Sequence, residues 1–326
     1  MRPARAVVAS LVMLSGCGGG GGGGAPAPAP APAPAAKVAL AAANYRNAAT
    51  LAMGATNSAY WYGKLGIDIT DAMINQPVNL FLTACPASGA MQNELLDKNR
   101  DGTFDPGDTL HMRWDRCKVG DTTITGLVRV ELSTDSKLIP GGREYVMTIT
   151  IVDLIMDNPQ ANPSSLRINF LAEVRYTHTA TSDHTVIPNA VFTSGQIVGD
   201  SGNSALVVDY LQDYASQTYS YIVSGNVVSG ALGGDVDFST PQAFTGVVGE
   251  YPSTGRMNLT GGANSTARLA EEGAAASDNA AVFAAVDANG DGAADASDAQ
   301  LAWTNVLPVQ IFRAFPDQAG ITLPIP

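Results

Sequence analysis

Eight aspartates sit in two twelve-residue stretches, DKNRDGTFDPGD at 97–108 and DANGDGAADASD at 287–298, in a chain with only 15% charged residues. Numbering each stretch from 1 to 12 puts Asp97 or Asp287 at position 1, Asn99 or Asn289 at position 3 and Asp101 or Asp291 at position 5. Gly102 or Gly292 follows at position 6, Asp105 or Asp295 at position 9 and Asp108 or Asp298 at position 12. The stretches agree at these six places and nowhere else. Four carboxylates this close repel one another unless a cation lies between them. Alternate side chains of a tightly curled segment converge on one point, and glycine at position 6 allows the sharp turn that brings the later oxygens round. Position 7, Thr103 or Ala293, would add its backbone carbonyl, so its side chain is free to vary. The chemistry is that of a hard cation held by oxygens.

The spacing matches the D-x-[DN]-x-[DN]-G register of the EF-hand calcium loop, with Asp in place of the final Glu. Ca²⁺ suits such a set better than Mg²⁺, which demands a tighter octahedron and sheds water reluctantly. Position 8, usually aliphatic, is Phe104 or Ala294. DANGDGAADASDAQLAWTNVL is similar to one dockerin repeat, but a dockerin needs two in tandem and these stretches lie 190 residues apart, so no cohesin partner is implied. The competing reading is that Asp, Asn and Gly are good turn residues at exposed hairpin tips. Turn chemistry does not require Asp at positions 1, 5, 9 and 12 twice over, which favours two calcium sites.

The leader indicates where such sites would operate. Arg2 and Arg5 precede an apolar run, AVVASLVML, too short to span a bilayer, which takes about 20 apolar residues. It ends in Leu14-Ser15-Gly16-Cys17, which resembles a bacterial lipobox. That resemblance implies a signal peptide over 1–17, lipidation of Cys17 and a membrane anchor; Gly18 after the cysteine implies an outer-membrane lipoprotein of the cell envelope. Seven glycines and an Ala-Pro repeat over 18–36 form a tether. Removing the leader leaves 18 − 2 = 16 basic against 30 acidic residues, net −14. That balance argues against nucleic acid as a partner.

Residues 37–326 are expected to form a single β-rich domain that positions the loops. Lys37 to Tyr62 is alanine-rich with helical spacing and predicts an N-terminal helix. From VNLFLTAC (78–85) to RMNLTG (256–261), period-two runs with β-branched and aromatic residues alternate with Gly, Pro, Asn and Ser clusters. The expected fold is mainly β, an antiparallel meander making a curved sheet, open barrel or sandwich, with a short C-terminal helix over Ala296–Leu307. The polar run VGDSGNS (198–204) is the one candidate for a subdomain boundary. Cys85 and Cys117, in an oxidising compartment, are expected to be bridged, with the first aspartate stretch at the tip of the bridged hairpin.

Catalytic constellations are sparse. His111, His178 and His184 have no zinc spacing, and no G-x-S-x-G or phosphate loop occurs. The VSG repeats at 223–225 and 228–230 read as a strand with glycine kinks. Tyr60, Trp61 and Tyr62 fit helix-to-sheet anchoring better than a sugar platform. Taken together, lipobox, glycine tether, the cysteine-bracketed aspartate stretch and the late aspartate stretch before Trp303 resemble a loosely defined group of uncharacterised proteobacterial lipoproteins. The resemblance implies location, bridge and acidic loops, and no activity. The expectation is a lipid-anchored envelope protein with two EF-hand-like calcium loops and a structural or binding role. The alternatives are an envelope hydrolase or carbohydrate-binding protein, or a lipid carrier built on an apolar cavity.

Overall fold

The computed structural model describes residues 36–75, 82–159, 165–194, 201–272 and 281–306. The leader with Cys17, tether residues 18–35, residues 76–81 with the start of the first expected strand (78–85), and the tail from 307 lie outside the described residues. Helix α1 (Tyr45–Met73) is followed by β1 (Leu82–Ala84), β2 (Ser88–Leu96), β3 (Thr109–Val119), β4 (Thr122–Leu132) and β5 (Lys137–Ile139). The long strands β6 (Gly142–Asp157), β7 (Ser165–His178), β8 (Ser182–Ser194), β9 (Ser201–Asp213), β10 (Thr218–Ser229) and β11 (Gly234–Val247) come next. The chain continues through β12 (Thr254–Thr260), β13 (Thr266–Glu272), β14 (Ala281–Asp287) and β15 (Ala296–Ala302) into the one-turn helix α2 (Trp303–Val306).

Every strand pairs antiparallel with its neighbour in sequence, except that β5 is a short flap on β6 and β4 pairs directly with β6. The result is one curved meander sheet that does not close into a barrel. Its cause is visible in β7, where Leu166, Ile168, Phe170, Ala172, Val174 and Tyr176 are buried while Arg167, Leu171 and Arg175 are exposed. Period-two alternation puts one apolar row on a single face of each strand. At Gly225 the kink read from the VSG repeat is real: the pairing of β10 with both neighbours shifts register between Tyr221 and Asn226. Of VGDSGNS, residues 201–204 open β9, which pairs with β8 and β10, and residues 198–200 lie outside the described residues.

The apolar face curls around α1. The helix touches β4, β6 to β10 and β14, strands far apart in the sheet, and 18 of its 29 residues are buried. At 1.5 Å per residue it runs about 43 Å along the concave side. That side is therefore filled with protein, where a lipid carrier would need space. Tyr60 packs against Tyr210 at 4.8 Å with the rings tilted by 58°, and Tyr62 meets Phe170 edge-on at 5.1 Å, so this cluster anchors the helix to the sheet.

Both helix assignments are corrected. The N-terminal helix begins at Tyr45 rather than Lys37 and runs on to Met73. Residues 37–40 pair with the sheet region, with Val38 N donating to the Asp235 carbonyl at 3.0 Å and Leu40 N to Ser265 Oγ at 2.7 Å, and residues 42–44 turn into the helix. Gly63 and Gly66 do not end the helix. They bring it close to the sheet: a Cβ at Gly66 would lie 2.1 Å from Ile149 Cδ1, and one at Gly63 2.7 Å from Ile187 Cδ1. The expected C-terminal helix is instead mostly β15, paired with β14, with only Trp303–Val306 helical.

The bridge between Cys85 and Cys117 forms, with Cα atoms 5.4 Å apart. It closes the open end of the β2–β3 hairpin, and the first aspartate loop lies at the hairpin's tip. Replacing both cysteines by serine is expected to lower the unfolding free energy by about 3.5 kcal/mol, the chain-entropy value for a loop of this size. Urea unfolding with and without reductant measures it.

Candidate metal centre

Both aspartate stretches are hairpin loops, one joining β2 to β3 and the other β14 to β15. In a meander, alternate links lie at opposite ends of the sheet, and these two fall at opposite ends. Each docks one end of α1. Phe104, in the first loop, is fully buried, forms a β-bridge with Ile74 and accepts from Asn75 N at 2.9 Å, just past the helix C-terminus. Asp298, at the close of the second loop, takes the Tyr45 hydroxyl and the Arg46 guanidinium from the helix N-terminus.

Within each loop the same hydrogen bonds curl the backbone. Asp97 Oδ2 accepts from Gly102 N at 2.7 Å, and Asp287 Oδ2 from Gly292 N at 2.7 Å. Asn99 Oδ1 accepts from Asp101 N at 3.0 Å, and Asn289 Oδ1 from Asp291 N at 2.8 Å. Asp101 Oδ1 accepts from Thr103 N and Asp291 Oδ1 from Ala293 N, both at 2.8 Å. Gly102 and Gly292 sit at φ 82° and 90°, a region open to glycine. Positions 1, 3, 5 and 6 are thus superposable in their bonding, although the loops are 190 residues apart.

The later positions diverge. In the first loop the Asn99 amide Nδ2 lies 3.0 Å from Asp101 Oδ2 and 2.8 Å from Asp105 Oδ2, so positions 3, 5 and 9 converge. Asp108 is buried and turns to the backbone instead, accepting from Lys98 N at 2.8 Å and Asp105 N at 3.2 Å. In the second loop Asp295 takes over that backbone role, accepting from Ala288 N at 2.7 Å, and Asp298 leaves for Arg46. Position 12 therefore joins the other positions in neither loop. Among the described residues no three His, Cys, Asp or Glu side chains gather as a metal shell. The converging set of the first loop is two carboxylates with an amide, an all-oxygen donor set once the amide presents its oxygen, and its chemistry fits a hard cation.

Electrostatics follow the bonding. The Thr103 hydroxyl and N–H hold Asp101 below the ordinary carboxylate range. Partial burial pushes Asp105 up, reinforced by the charges of Asp108 and Asp101. Burial also pushes on Asp287, but the N–H groups of Gly292, Gly290, Asp291 and Asn289 outweigh it and hold that carboxyl low. The Tyr45 hydroxyl and Arg46 hold Asp298 low.

The Asp298 lock gives a pH prediction. A folded-state pKa below the unfolded value stabilises the fold at pH above the unfolded value, about 3.9, and that contribution is lost as pH falls through the folded value. Asp298→Asn should therefore lower the thermal midpoint at pH 7 and lower it less at about pH 2.5. Equal losses at both pH values would mean that the ion pair is not what holds the helix start.

The histidines lie elsewhere, each beside a carboxylate. His178 Nδ1 is 2.7 Å from Asp183 Oδ1, which also accepts from the Tyr176 hydroxyl at 2.8 Å; His184 Nε2 is 2.7 Å from Asp209, and His111 Nδ1 3.4 Å from Glu94. These are strand-to-strand ties at the edge of the core. No family model, curated protein or solved structure matches the chain. Sequence reasoning missed Tyr45 and Arg46, whose partner lies 253 and 252 residues away and leaves no local signal.

Proposed function

We propose that the chain is a lipid-anchored envelope protein in which two EF-hand-like loops bind calcium and secure the two ends of α1 inside the curved sheet. The observation that carries this reading is the duplication. Two loops far apart in sequence share one six-position register and one internal hydrogen-bond pattern, and each meets a different end of the same helix. A cation in the first loop would take oxygens from Asp97, Asn99, Asp101, Asp105 and the Thr103 carbonyl. In the second it would take them from Asp287, Asn289, Asp291 and the Ala293 carbonyl, with Asp295 contributing only the oxygen not engaged by Ala288 N. The ion would supply charge neutralisation to carboxylates that otherwise repel, and so stiffen the segments on which the helix ends rest.

The role is structural: the protein is a scaffold held at the envelope by Cys17, its fold tightened where calcium is plentiful. The lipobox supports the location, and the cysteine bridge supports an oxidising compartment. The test is thermal unfolding of the purified protein in excess EDTA and in millimolar calcium, for the wild type, Asp101→Ala and Asp291→Ala. A calcium-dependent rise that each substitution reduces supports the reading. An unchanged wild-type midpoint refutes it and leaves two acidic turns.

A further inference from the structure

The outer face of β12, β13 and β14 carries a concavity of about 390 Å³ beside the second aspartate loop. Cross-strand register explains it. Asn258, Arg268 and Ala285 stand in one row across the three strands, and Thr260, Thr266 and Asp287 in the next. On β14, Val282, Ala284 and Val286 enter the core, so Phe283 and Ala285 face outward. Ala285 is nevertheless buried, and residues 292–294 of the loop line the same concavity. A small floor residue flanked by large neighbours and edged by a loop makes a depression in the outer face. Its volume falls in the range of small-ligand sites, about 300–1,000 Å³.

The lining selects the ligand class. Phe283 offers an aromatic face, with the Arg268 guanidinium 4.9 Å over its centroid. Around it stand the Asn258 amide, the hydroxyls of Thr260 and Thr266, and Asp287. A purely apolar ligand would leave these polar groups unsatisfied. A phosphate would meet one guanidinium opposed by a carboxylate. A sugar ring matches both halves of the lining: its C–H face packs on the phenyl ring, and its paired hydroxyls meet planar forks of guanidinium and amide. We propose that this concavity binds a saccharide, which exchanges with Arg268 for the Phe283 face while the displaced guanidinium donates to its hydroxyls. Asp287 and residues 292–294 are shared between this concavity and the second aspartate loop.

The experiment is saturation-transfer NMR on the purified full-length protein with chitobiose, cellobiose and maltose as probes, repeated on Phe283→Ala, Phe283→Trp and Arg268→Gln. At least one disaccharide is expected to bind, with transfer concentrated on ring C–H protons. Phe283→Ala should weaken it by about tenfold or more, Arg268→Gln by a smaller factor, and Phe283→Trp should retain it. Binding by none of the three at about 10 mM, or binding unchanged in Phe283→Ala, overturns the proposal. If Phe283→Ala also lowers the melting midpoint, Phe283→Trp decides: retained binding supports the site, and lost binding in a folded variant overturns it.

Discussion

Trp303→Ala is expected to lower the unfolding free energy by about 5 kcal/mol, the upper end of the range for a buried tryptophan. The indole is fully buried. It stacks on Tyr251 at 6.1 Å with planes 6° apart and meets Phe244 edge-on at 5.8 Å. Those rings continue an aromatic row through Tyr221, Tyr219 and Tyr210 to Tyr60 on α1. Trp303 also opens α2, a single turn far too short to be stable alone, whose contacts are with α1 and β15. The cavity left by alanine could not collapse without pulling the helix off the sheet, so the transfer and cavity penalties add. Urea unfolding followed by far-UV circular dichroism measures the loss, with Trp303→Phe expected to recover about half. A loss under about 2 kcal/mol would mean that this end of the core does not depend on α2.

Where the residues announce their own geometry, the fold is legible in the sequence. Strands such as EYVMTITIVDLIM and LRINFLAEVRYTH alternate because one face is buried, and β-branched residues suit a pleated surface. The β13–β15 region is not legible, because ARLAEE, AVFAAVD and ASDAQLA are alanine-rich and read as helix or coil by propensity. Pairing with β12 and with one another overrides propensity there, and that information lies in the neighbours. The end of α1 was hidden for a related reason: Gly63 and Gly66 look like helix breakers until Ile187 and Ile149 are seen pressed against them. In the candidate site, positions 1, 3, 5 and 6 are legible because short-range hydrogen bonds set them. The fate of position 12 is not, since Asp298 is drawn away by a partner on α1 and Asp108 by backbone N–H groups of its own loop.

That split between the early and late positions shapes the second large prediction. With calcium at about a hundred times its dissociation constant, each loop should add about 2.7 kcal/mol, so about 5 kcal/mol for the pair. The loops lie at opposite ends of a helix about 43 Å long, beyond direct coupling, so the increments should sum. Asp101→Ala and Asp291→Ala should each remove about half, and the double variant nearly all. The first loop also carries a pH signature. Asp105 has a raised folded-state pKa without the ion, so its ionisation costs the ion-free fold stability at neutral pH; that cost shrinks as pH falls below the raised value and is gone below the unfolded value of about 3.9. A bound cation cancels the cost at neutral pH and loses its ligand once Asp105 is protonated. The calcium increment should therefore be full at about pH 7.5, shrink as pH falls into the carboxylate range, and shrink less in Asp105→Asn. Calorimetric melts at the two ends of that range, with magnesium as the control ion, separate ligation by these oxygens from general screening. Equal increments from calcium and magnesium, or one that ignores pH, would assign the stabilisation to ionic strength and not to the loops.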